Sequence, residues 1–132
     1  MSEQEIIEGN KLIAEFMELQ AIEISAAIYQ IKSSTHLFFE EFKINDVSIE
    51  QGFDKNNPLN YFHKFLKFRY HSSWDWIYPV VKKINNIRKF EEYGYITQIA
   101  FVNLAWARKD INEVWESCVK FIKWYNQINK NE

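Results

Sequence analysis

The sequence predicts an α+β domain spanning residues 1–132: three helices packed on a small antiparallel or mixed sheet, close to an α/β sandwich. Three observations lead there. Apolar residues recur at steps of three and four near the start, the middle and the end of the chain. Aromatic and β-branched runs at 36–44 and 95–106 read instead with a period of two. A chain of 132 residues, 47% hydrophobic and 17% aromatic, fits one domain with a real core and excludes disorder.

Residues 4–32 read as helix, as one piece or two. Ala14, Met17, Ala21, Ile24, Ile28 and Ile31 share a face, and Ile6, Asn10 and Ile13 continue it. Gly9 costs about 1 kcal/mol relative to Ala in a helix interior, which predicts frayed first turns. Ser33–Thr35 ends the run. His36–Ile44 follows as a strand, with Leu37, Phe39 and Glu41 on one face and Phe38, Glu40 and Phe42 on the other. After a turn at Asn45–Asp46, residues 47–60 form the longest irregular stretch.

Leu59, Phe62, Phe65 and Leu66 fit a helical turn, after which Lys67–Tyr70 alternates as a short strand. Ser72 or Ser73 can cap the next helix, with Asp75 in its first turn. Pro79 places the regular start near Asp75 or Trp76, and Ile77, Val80, Val81, Ile84, Ile87 and Arg88 form the buried stripe. Gly94 breaks that helix. Tyr95–Trp106, apolar on both alternating faces, reads as a central strand. Asp110 caps the last helix, whose stripe is Ile111, Val114, Trp115, Cys118, Ile122 and Tyr125.

The formal net charge of −2 sets up no global field towards nucleic acid or membrane. Charge is uneven, however: residues 1–50 carry ten acids against three lysines, and residues 64–89 carry seven bases against Asp75 alone. A single cysteine excludes an internal disulfide and fits a reducing cytoplasm. No stretch reaches the roughly 18 apolar residues of a membrane span, so a cytoplasmic protein is expected. Phosphate-cradling glycine loops, paired-cysteine metal motifs and the common nucleophile motifs are absent. No catalytic residue, metal ligand or cofactor is assigned. An acid–base or metal pair of His71 and Asp75 is the sole enzymatic reading the sequence offers.

The stretch Tyr70–Val81 concentrates the interesting chemistry. Tyr70, Trp74, Trp76 and Tyr78 could stack a base or sugar, while Lys67, Arg69, Lys82 and Lys83 could meet a phosphate and His71 and Asp75 supply polar contacts. The competing reading is that the aromatics close a core where strand meets helix. On the last helix, Phe121 and Trp124 fall beside the buried stripe and read as an interface, most simply a homodimer seam.

Tyr70-His-Ser-Ser-Trp-Asp-Trp76 followed by Pro79-Val-Val81, and Val119-Lys-Phe-Ile-Lys-Trp-Tyr-Asn126, resemble a group of small uncharacterised bacterial and phage-borne proteins. Asn10–Met17 resembles their first helix, and some relatives are described as phage-type α/β/α sandwich domains. The resemblance implies a single α/β domain of bacterial or phage origin and carries no assigned activity. The chain departs from it at Glu18-Leu19-Gln20, where relatives tend to have a glycine. The expectation is a non-enzymatic, cytoplasmic accessory protein that binds a protein, including a second copy of itself. The alternative is a small-ligand protein that sequesters a nucleotide-like anion at 67–83, in a setting such as phage counter-defence.

Overall fold

The computed structural model of this chain describes residues 2–32, 40–65, 68–87 and 94–130. Helix α1 spans Glu3–Phe16. The Ser2 hydroxyl oxygen accepts from the Glu5 N–H at 3.1 Å, and Glu3 and Glu5 put negative charge in the first turn. The helix does not run on to residue 32. Glu18 adopts a left-handed φ of 58°. The Leu19 N–H bonds the Ala14 carbonyl at 3.0 Å and the Glu18 N–H bonds the Glu15 carbonyl at 3.1 Å. That is the Schellman closure of a helix end, ordinarily built on glycine.

Beyond it, the isoleucines read as helical stripe form a hairpin: β1, Gln20–Ser25, and β2, Ile28–Lys32. β-Branched side chains suit a pleated surface. The loop is Ala26–Ala27, with Ala27 at φ 60°. Strand β3, Glu40–Lys43, adds to β2, giving an antiparallel sheet in the order β1-β2-β3. Register pairs Ala21 with Ile31, and Tyr29 with both Glu23 and Phe42. The expected strand at 36–44 is thus present from residue 40, and residues 36–39 lie outside the described ones.

The stretch 47–60 is not irregular throughout. Helix α2 spans Asp46–Glu50, where Asn45 Oδ1 accepts from the Ser48 N–H at 3.0 Å. Helix α3, Pro58–Phe65, starts on a proline whose missing N–H is no loss at a first position. The expected strand at 67–70 is absent at its described residues: the Ser72 and Ser73 N–H groups both bond the Arg69 carbonyl, which turns the chain.

Helix α4 is Trp74–Asn85, with Ser73 at its N-cap. Ser73 caps through its carbonyl, which accepts from the Trp76 and Ile77 N–H groups, and not through its hydroxyl. The largest correction is α5. Tyr95–Ala107 is a 13-residue helix, not a central strand. Its buried residues, Tyr95, Ile99, Val102 and Ala105, keep helical spacing. Helix and strand periods became indistinguishable because the segment is apolar on every side. Lys109, left-handed at φ 57°, then turns the chain into α6, Ile111–Lys130, where Asp110 Oδ1 accepts from the Asn112 N–H at 3.0 Å.

The α+β class therefore holds, with six helices among the described residues where three were expected. The helices pack chiefly on one another: α6 lies against α1, α4 and α5, and α4 against α5. The sheet joins this bundle through one face, on which Tyr29 packs edge-on to Phe53 (5.4 Å between centroids) and Phe53 to Tyr61 (5.6 Å). Ile24, on the opposite face, is exposed. Gly9 lies within the unbroken run of α1. It is where the two end helices touch, since a Cβ there would stand 2.2 Å from Trp115 Cζ2.

Candidate functional site

The junction at Tyr70–Val81 divides into a buried half and an exposed half. Tyr70 and Trp76 are core. Their rings meet edge to face at 5.1 Å, and Phe68 lies 5.8 Å from Trp76. Burial pushes the Tyr70 phenol far above its ordinary range. Stacking a ligand needs an open ring face, so the expected roles of Tyr70 and Trp76 are corrected. Phe121 is corrected for the same reason: it is 1% exposed and stacks on Tyr125 at 6.0 Å. Trp124 is half-buried, with Tyr95 at 4.8 Å and Gly94 beneath its ring.

His71 is also tied inward. The Trp115 indole N–H can only donate, and it donates to Asn10 Oδ1 at 2.8 Å. That fixes the Asn10 amide, whose nitrogen donates to the Phe68 carbonyl at 2.6 Å and faces His71 Nδ1 at 3.0 Å. In this arrangement Nδ1 accepts and the ring is neutral. Burial holds the His71 pKa below its ordinary value, with the Phe68 backbone contact opposing. His71 thus locks the turn to α1 and does not pair with Asp75, which is exposed on α4. Among the described residues no three His, Cys, Asp or Glu side chains gather as a metal set.

What remains at the surface is one face of α4 and one face of α5. Trp74 (41% exposed), Tyr78 (52%) and Lys82 follow one another at helical spacing, with Asp75 beside them and Arg69 exposed in the preceding turn. Trp106 of α5 closes this corner, with its centroid 5.2 Å from Trp74 and 5.6 Å from Tyr78. Asn85 and Asn103 exchange two amide hydrogen bonds of 2.9 Å and join the helices further along. Beyond them α5 presents Ile96, Phe101 and Leu104, which are 65%, 57% and 51% exposed. A groove of about 510 Å³ runs beside Phe101 between α5 and α6, bordered by Arg108, Glu113, Glu116 and Lys120.

Family models, curated proteins and solved structures give no match to this chain.

The larger groove, about 680 Å³ between α1 and α6, is floored by Gly9, Leu12 and Trp115. Both walls carry mixed charge, Glu5, Glu8, Lys11 and Glu15 facing Glu116, Lys120 and Lys123, and so favour no ion of either sign. Cys118 is fully buried, and burial pushes its thiol far above the range in which a thiolate could react. The apolar α5 face was missed in the sequence because a strand reading assigned Ile96 and Leu104 to a covered sheet. The signal present was the absence of any charge from Tyr95 to Ala107.

Proposed function

We propose that this chain is a non-enzymatic accessory protein that works by binding another protein through the outer face of α5 and the adjoining aromatic corner of α4. The observation that carries the reading is α5 itself. A helix apolar all round is normally buried all round, yet here three large side chains, Ile96, Phe101 and Leu104, stand more than half exposed. Scattered exposed leucines need no explanation, whereas a contiguous apolar patch marks a contact surface. A bacterial or phage cytoplasm, expected from the sequence, stays part of this proposal. Among the described residues no helix is long and apolar enough to cross a membrane. The test is a paired variant, Ile96→Ser with Leu104→Ser. In dilute solution, below self-association, the native chain should bind an environment-sensitive apolar dye at this face, and the variant should lose that binding with an unchanged melting temperature. Equal dye binding by both proteins would refute the reading.

A second reading keeps a narrower footing: Trp74 and Tyr78, one turn apart with Lys82 a turn further on, form a small stacking corner for a nucleotide-like anion. Asp75 on the same face opposes an anion, so this reading ranks below the first. Thermal-shift titration with nucleotides tests it, and a shift that survives Trp74→Ala would sink it.

A further inference from the structure

The occupant this surface fits is a second copy of the chain, an inference that rests on the association reading above. We propose that two copies pair through α5, antiparallel about a two-fold axis at Ala100, with Ile96 of each against Leu104 of the other.

Ile96, Ala100 and Leu104 stand four residues apart and form one ridge on the exposed side of the helix. The ridge reads the same from either end: a large aliphatic side chain, an alanine, a large aliphatic side chain. Two-fold pairing requires a patch complementary to itself. Ala100 at the crossing lets the helix axes approach closely, and two ridges of this kind interlock at about −50°. Phe101, one residue on, lies near the level of the axis and meets its own symmetry mate.

Charge points the same way. Tyr95–Ala107 contains no ionisable acid or base other than the buried tyrosine, so an antiparallel copy brings no like charges together. The border beside Phe101 mixes Arg108 and Lys120 with Glu113 and Glu116, a polar rim of both signs that a strongly charged partner would not match. Area is the third argument. Ile96, Phe101 and Leu104, with Trp74 and Tyr78 alongside, are 41–65% exposed. A large side chain presents about 150–250 Å², so each leaves roughly 100 Å² open and the five together about 500 Å². With Thr97, Ala100, Asn103 and Ala107, all exposed on the same helix, the face approaches the ~800 Å² per partner of a standard interface.

The experiment is sedimentation velocity on the intact chain from about 1 to 100 μM, joined to cysteine cross-linking. The expected result is a concentration-dependent dimer, which Leu104→Glu or Phe101→Glu weakens by about 100-fold or more, because the two-fold axis introduces each charge twice. Ala100→Cys should give a disulfide-linked dimer with oxidised glutathione, while Glu15→Cys, away from the face, should not; the buried Cys118 stays silent. A monomer across the range, or a dimer indifferent to both glutamates and not trapped through Ala100→Cys, overturns the proposal. If that monomer still binds apolar dye in a Leu104-dependent way, only the second-copy inference falls. If it binds none, the docking face falls with it.

Discussion

Asn10 carries more structure than any other polar residue described. It is 2% exposed and makes three contacts, to Trp115, Phe68 and His71. Asn10→Ala would strand the Trp115 N–H away from water, at about 1–3 kcal/mol for a group left unsatisfied, and would take one donor from the Phe68 carbonyl. Urea denaturation should show a loss of about 1–3 kcal/mol. His71 makes the same contact set pH-dependent. Its folded pKa lies below the ordinary 6.5, so as pH falls the unfolded chain takes up the proton first. The stability it supports is complete above about pH 6.5 and is lost progressively below it, until the folded pKa is passed. Between about pH 7.5 and 5 the urea midpoint should fall further in the native protein than in a His71→Gln variant, and equal falls would refute the assignment. Gly9 tests packing on the same helix. Alanine is the better helix former by about 1 kcal/mol, but its Cβ would sit 2.2 Å from the Trp115 ring. Overpacking of about 1–3 kcal/mol should prevail, so Gly9→Ala should lower the melting temperature.

Among the described residues three non-glycine residues hold left-handed φ, and all three sit at joints between elements: Glu18 after α1, Ala27 in the hairpin, Lys109 between α5 and α6. Ala27 has no large side chain to lose, so Ala27→Gly should stabilise by about 1 kcal/mol and raise the melting temperature by about 3–5 °C; an unchanged melting curve would contradict the strain. The same residues explain what was legible beforehand. The helices from 74 and 111 were readable because Ser73, Asp75 and Asp110 are ordinary start signals and the stripes beneath them are amphipathic. The hairpin at 20–32 was not, because its stop signal is a glutamate and its turn two alanines, where glycine or asparagine would have announced both. Helix α5 failed for another reason: periodicity locates a face only when the other face is polar. At the site, the ambiguity of Tyr70, Trp74 and Trp76 was one of direction. Residues two or four apart project differently from a helix than from a strand, so Trp74 emerges where Trp76 is sealed.

For the whole molecule, association and stability are linked. A contact made only by the folded chain stabilises it by mass action. With pairing through α5, the midpoint of thermal unfolding should rise with protein concentration, and Leu104→Glu should remove that dependence while leaving the dilute-limit midpoint nearly unchanged, since a half-exposed side chain contributes little to the monomer. A concentration-independent midpoint in the native chain would speak against coupling at this face. The uneven charge of the sequence is balanced in part inside the fold. Lys83 donates to the carbonyl of Phe16, the last residue of α1, and lies 4.5 Å over its ring. Glu18 favours its charged form against the burial that lowers its pKa.

The contact of Gly9 and Asn10 with Trp115, and of Phe16 with Tyr125 further along, makes α1 and α6 parallel neighbours. Seen as an event in time, that contact joins the first helix to the last across a separation of 105 residues. At about 5–20 residues per second, α1 emerges from the ribosome roughly 5–20 s before its indole partner exists. The sheet and the α5–α6 hairpin close from neighbouring segments, but the seat of Asn10 stays empty until the final helix is made. Completion of this fold therefore waits for α6 to be made, and chains released before Trp115 expose the apolar side of α1 to whatever is nearby.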